Sequence, residues 1–188
     1  MTTNQALINI GRDIVDNLLK ENKTRSHEII AGIEGERFHT YDTHKLVLLL
    51  TKGHASPELQ IAAMGHDVER FSVPNAGKGF IKDRKGPEYE AYKKLHAQKG
   101  ASIMAERLQQ KHVPSKTIRR IVFLISHHDD TSEEISNLKD SELEILAAAD
   151  MLSWLNFSAP NYFNGRETKG IQGLNDKMCF MLRKLPTK

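Results

Sequence analysis

Residues 56–71 read SPELQIAAMGHDVERF. The stretch opens with the marks of a helix start: Ser56 is placed to cap it, Pro57 suits the first helical position, and Glu58 follows. Leu59, Ala62 and Ala63 then recur at helical spacing, and the run closes on His66 and Asp67 side by side. Burying a charge costs several kcal/mol or more unless it is paired, hydrogen-bonded or bound to a metal. Either the helix surfaces at these two residues, or it delivers both to something that needs them.

The chain on either side reads the same way, as helices joined by short turns with almost no strand-like alternation. The pattern predicts helices over about 4–21, 26–33, 37–52, 57–66, 88–110, 116–127, 140–156 and 173–185. Gly32 and Gly35 are expected to end the second, and Gly53 the third. Ser115 is expected to cap the helix carrying IRRIVFLI, which is apolar on most sides and so reads as central, and TSEE at 131–134 to cap a short turn. The expected fold class is an all-α helical bundle. With 188 residues, 39% of them hydrophobic, one domain over 1–188 is expected, with a core over about 37–156 and the terminal helices packed on it.

Several classes drop away. The longest aliphatic runs, LVLLL at 46–50 and IVFLI at 121–125, are too short to cross a bilayer. The first 22 residues lack the basic start, apolar centre and small-residue cleavage site of a secretory signal. A lone Cys179 cannot form an internal disulfide and reads as an apolar filler, which fits a reducing, cytoplasmic setting. A net charge of +3, without aromatic interleaving or a helix-turn-helix signal, does not indicate a nucleic-acid partner.

Nine histidines sit in the chain, and the informative ones fall on core-facing or helix-end positions. His39 shares a helical face with Thr43, Leu46 and Leu50, whereas His44 is offset by about 140° and points elsewhere. His66 continues the side of Leu59 and Ala62; Asp67 follows Ala63 by one turn. His96 edges the face of Ile103, Met104 and Leu108, and His127 and His128 close a buried helix. Asp150 lies in line with Leu143, Leu146, Ala147 and Trp154, where a carboxylate is most expensive and wants a cation. Imidazoles and carboxylates converging from several helices are the ligand set for first-row transition metals. His27, His44, His54 and His112 are left to surface or loop roles.

The order His39, His66-Asp67, His96, His127-His128, Asp150 resembles the HD-domain superfamily of metal-dependent phosphohydrolases, an all-helical fold, over about residues 37–156. HAQKGASIM with the later double histidine resembles its dinuclear branch, which includes the HD-GYP phosphodiesterases. The resemblance implies a first metal on His39, His66, Asp67 and Asp150, with Asp67 bridging to a second on His96, His127 and His128. It further implies divalent transition-metal ions, two per chain, iron or manganese first, with cobalt, nickel, zinc or magnesium admitted. The double histidine is followed here by DDTSEE, without the Glu-Arg and Gly-Tyr-Pro of the HD-GYP proteins or their Gly-Lys after the HD pair, so cyclic di-GMP is not carried over as substrate.

The expected activity is hydrolysis of a phosphate ester, a nucleotide or related small molecule, through a metal-activated water that Asp67 would help orient. Arg70 is the first candidate to hold the phosphate, with Lys78, Lys82, Arg84 and Lys85 in the Gly-flanked segment that follows and Lys93 and Lys94 beyond it. Residues 78–94 carry six basic side chains against three acidic ones. Two other readings stay open: an HD-type diiron oxygenase, against which the extra histidine at 127/128 speaks, and a non-catalytic nucleotide or metal sensor. The apolar face Leu174, Met178, Met181, Leu182 and Leu185 would cover the core or a partner equally well, so the oligomeric state is open.

Overall fold

The computed structural model describes residues 3–21, 27–72 and 87–157, without the side chains of 27–34 and 157. Over these residues the chain is all-α: α1 (Asn4–Glu21), α2 (His27–Leu50), α3 (Pro57–Gly65), α4 (Val68–Ser72), α5 (Pro87–Gln110), α6 (Ser115–His127), α7 (Ser132–Leu138) and α8 (Ser141–Phe157). None of the described helices is long and apolar enough to cross a membrane. The last predicted helix, Cys179 and the basic segment with Lys78, Lys82, Arg84 and Lys85 lie outside the described residues.

The helix at the heart of the packing is α3. It touches α1, α2, α5, α6 and α8, while α5 lies along α6 and α2 along α8. Its residues Leu59, Ile61, Ala62, Ala63, Met64 and Gly65 are all buried, as expected of a helix apolar all round. Small residues set how closely its neighbours come. A methyl group on Gly11 of α1 would sit 2.6 Å from Ile61 Cγ1, and one on Gly100 of α5 would sit 3.2 Å from the backbone oxygen of His66.

Three sequence expectations are corrected. First, α2 runs unbroken through Gly32 and Gly35, because glycine in a helix interior costs only about 1 kcal/mol relative to alanine and the tertiary contacts of the same helix outweigh it. Second, α6 is one-sided rather than central: Ile118, Ile121, Leu124 and Ile125 are buried, Arg119 is exposed, and Arg120 reaches across to Asp140 and Glu142. Pro114, not Ser115, occupies its N-cap, with no side-chain cap bond. Third, the buried face of α2 is His39, Thr40, Thr43, His44 and Val47, so Leu46 is half-buried and Leu50 exposed.

The other helix starts follow their local chemistry. Ser56 Oγ accepts from Leu59 N at 3.1 Å, and Asp140 Oδ1 accepts from Leu143 N at 3.1 Å. Thr131 and Glu134 form a reciprocal capping box on α7. Gly53 takes the left-handed conformation, φ 82°, after α2 and donates to Leu48 O at 2.8 Å.

Candidate metal centre

Two helices end at one place. His66 follows α3 as its C-cap, and His128 follows α6 as its C-cap. The last turn of a helix leaves carbonyls without partners. His66 Nδ1 donates to Ala63 O at 2.9 Å and His128 Nδ1 to Ile125 O at 2.7 Å, so each ring is pinned to its own helix by a carbonyl three residues back. Both rings sit at the negative end of a helix dipole, an environment that favours positive charge.

Two further rings are held from outside the cluster. His39 of α2 places Nδ1 2.9 Å from Ser153 Oγ on α8, and Ser153 spends its own proton on His39 O at 3.1 Å, so the hydroxyl oxygen accepts from the ring. His96 of α5 donates Nδ1–H to Glu69 Oε2 at 2.9 Å. In all four rings the Nδ1 partner is an acceptor, which assigns a proton to Nδ1 and leaves Nε2 as the nitrogen that can take a proton or a metal.

These four Nε2 atoms converge on Asp67 and Asp150. His39 Nε2 lies 3.2 Å from His66 Nε2 and 3.0 Å from Asp150 Oδ1, and His66 Nε2 lies 3.6 Å from the same oxygen. Asp67 Oδ2 lies 3.7 Å and 3.8 Å from His39 and His66 Nε2. Its other oxygen, Oδ1, faces His96 Nε2 at 2.7 Å and His128 Nε2 at 3.7 Å. One carboxylate therefore looks at two pairs of imidazoles. Donors bonded to one ion at about 2.1 Å stand roughly 3.0–3.4 Å apart, close to this spacing.

The donor set fits a cation and little else. The four Nε2 atoms and the carboxylate oxygens of Asp67 and Asp150 can all act as acceptors, so they repel one another unless positive charge lies between them. Protons can supply some of it: burial opposes charge on His66, but Asp67 and then Asp150 outweigh that and lift its pKa to about 9. His96 is also raised, burial and Arg70 opposing it while Asp67 and Glu69 favour it. Burial works against ionising Asp67 and Asp150. Arg70 and His66 nonetheless hold Asp67 well below the usual carboxylate range, and His39 and His66 do so for Asp150. The buried groups His39–His66–Asp150, His66–Asp67–His128 and His128–Asp129–Asp150 are each compact enough to hold a metal ion.

Of the seven ligand candidates, the structure brings six together: His39, His66, Asp67, His96, His128 and Asp150. His127 is placed elsewhere. Its side chain is 37% exposed, Nδ1 bonds Asp130 at 2.6 Å and the ring rests on Phe123. His127 lies about 100° round the helix from His128, and Asp130 and Phe123 hold it on that outer side. Asp129, just past His128, comes to the cluster instead and was not read from the sequence. Glu69 and Ser153 were also missed. The signal for Ser153 was its position three after Asp150, on the same helical face.

The flanking residues divide. Arg70 Nε lies 2.8 Å from Asp67 Oδ2. Lys93 is buried and reaches Glu90 and the backbone oxygen of Asp129 at 2.9 and 3.3 Å, whereas Lys94 is exposed and pairs with Glu134 at 2.6 Å. His44, expected at the surface, is buried beside Gln60 of α3, its Nε2 3.2 Å from Oε1, and burial pushes its pKa down.

By sequence, the chain belongs to the family described as a domain of unknown function (DUF4202), whose model matches residues 19–188. No curated protein and no solved structure matches it.

Proposed function

We propose that this member of the DUF4202 family is a metal-dependent phosphohydrolase of the HD type, acting on a small phosphate ester such as a nucleotide. The observation that supports it is the convergence of four Nε2 lone pairs and two carboxylates, each ring oriented by a separate outer partner, with a guanidinium at the edge. His39, His66 and Asp150 would hold one ion; His96 and His128, with Asp129 beside them, would hold a second, and Asp67 would face both. Such ions, iron or manganese first, acidify a water and offset charge on a phosphoryl group.

The chain's own residues do the rest. Asp67 offers one oxygen to each side, so a single carboxylate sets the relation between the two halves of the centre. Ser153, Glu69 and the carbonyls of Ala63 and Ile125 keep the four rings in the tautomer that presents Nε2. Burial of His66, Asp67, His96 and His128 excludes bulk water from the interior side. Arg70 is the described cation best placed to meet a phosphoryl oxygen.

One observation keeps a second reading in view. With His127 outside the cluster, the extra histidine no longer speaks against an oxygen-using diiron enzyme of the same superfamily. The deciding experiment is metal analysis of protein purified without chelator and without oxygen, followed by assay against a panel of nucleoside and sugar phosphates. About two ions per chain and phosphate release, both abolished in Asp67→Ala, are expected. Iron with oxygen consumption on a diol or aminophosphonate would replace hydrolysis by the second reading; absence of any metal, even after soaking, would remove both.

A further inference from the structure

We infer that Arg70 occupies a cation position of the centre itself, and that a divalent ion binding at Asp67 displaces the guanidinium and so frees it for the anionic substrate. The inference rests on the metal centre proposed above and concerns how its loading controls anion binding.

Arg70 sits on the short α4, its backbone N–H bonded to Asp67 O at 3.0 Å, which folds the side chain back over Asp67. Its Nε approaches Oδ2, the same oxygen that faces His39 and His66. Guanidinium and metal ion would therefore share one carboxylate oxygen. The contact at 2.8 Å lacks the alignment of a hydrogen bond, and Nε is buried without an acceptor. It is a contact of charges, weaker than a charge-assisted hydrogen bond and more easily given up.

The way in which the cluster can admit a metal differs between its members. His66 and His96 can meet a metal where they stand, each through the Nε2 that its Nδ1 bond leaves facing inward. Arginine does not deprotonate in proteins. Arg70 is therefore a guanidinium beside Asp67 whatever else binds there. It can yield to a dication only by moving. It is also the member with room to move: its side chain is 31% exposed, against 0% for His66 and 1% for His96. A guanidinium released at the open edge of the site is suited to a phosphoryl group, which it binds with paired N–H donors. Metal loading and anion binding would then be coupled, each strengthening the other by the same factor.

The test uses the full chain stripped of metal, with Mn²⁺ and inorganic phosphate as probes in titration calorimetry. Arg70→Gln is expected to bind Mn²⁺ about tenfold more tightly than the parent and, once loaded, phosphate about tenfold more weakly. Arg70→Lys, which keeps a cation there, should return Mn²⁺ affinity to near the parent value while recovering only part of the phosphate affinity. In the parent protein, the NMR signal of Arg70 Nε–H should shift and exchange faster with water when diamagnetic Zn²⁺ is added, a readout that needs no variant to fold. Equal or weaker Mn²⁺ binding in Arg70→Gln, an unchanged phosphate affinity, or a static Nε–H signal would each overturn the inference and leave the metal centre standing. A parent protein that binds no divalent ion would overturn both.

Discussion

A histidine placed just after a helix has its Nδ1 within reach of the carbonyl three residues back. At His66 and His128 that local bond, rather than any distant contact, decides which nitrogen looks inward. His39 and His96 have no such carbonyl to use and depend on Ser153 and Glu69, side chains from other helices. The two kinds of support make different predictions. Glu69→Ala and Ser153→Ala are each expected to weaken metal binding by about 10–100-fold while circular dichroism stays that of the parent, since an outer partner orients a ligand without bonding the metal. Metal affinity within threefold of the parent in both would mean that packing alone holds the rings. At this scale the histidines and aspartates were legible as residues that needed explaining. Asp129 was not, because a carboxylate in a polar turn carries no sign of which way it points.

Helix ends were the most readable features, being written in short-range chemistry. Ser56, Asp140 and Thr131 cap as their side chains predict. Helix interiors were less so: α2 continues through two glycines, and α6 proved one-sided where its run of apolar residues suggested a central place. The short α7 allows a test of its own. Lys94 first, and then the Thr131 backbone N–H, hold the Glu134 carboxyl at about 2, below its ordinary 4.5. A depressed carboxyl contributes stability above its unfolded pKa and loses it as pH falls from about 4.5 towards about 2. Glu134→Gln should therefore flatten that part of a plot of melting temperature against pH. At neutral pH it should cost under about 1 kcal/mol, because the pair with Lys94 is exposed and screened. An acid limb of unchanged slope would show that the charge of Glu134 adds nothing to stability.

At the scale of the molecule, the centre is where α2, α5, α8 and the ends of α3 and α6 meet, so filling it ties together elements far apart in sequence. A ligand that binds only the folded chain, present at 100 times its Kd, stabilises by about 2.7 kcal/mol. For a chain of this size that is a rise of roughly 5–10 °C in melting temperature. Mn²⁺ or Zn²⁺ is expected to produce that rise, with chelator reversing it, and Asp67→Ala should show neither effect. Melting temperatures that ignore added metal in the parent would argue that protons alone fill the cluster.

The sequence by itself determined the helical class, the capped starts of α3, α7 and α8 and a set of costly residues at helix ends and on apolar faces, because caps, periodicity and the penalty for buried charge act over a few residues. Only the tertiary structure decided that α3 rather than α6 lies at the centre, that His128 and Asp129 rather than His127 meet Asp67 and Asp150, and that Glu69 and Ser153 aim the rings. Those outcomes turn on rotations of about 100° between neighbouring residues and on contacts between α2 and α8 or between α4 and α5. No local pattern fixes a rotation about a helix axis; the packing of the other helices does.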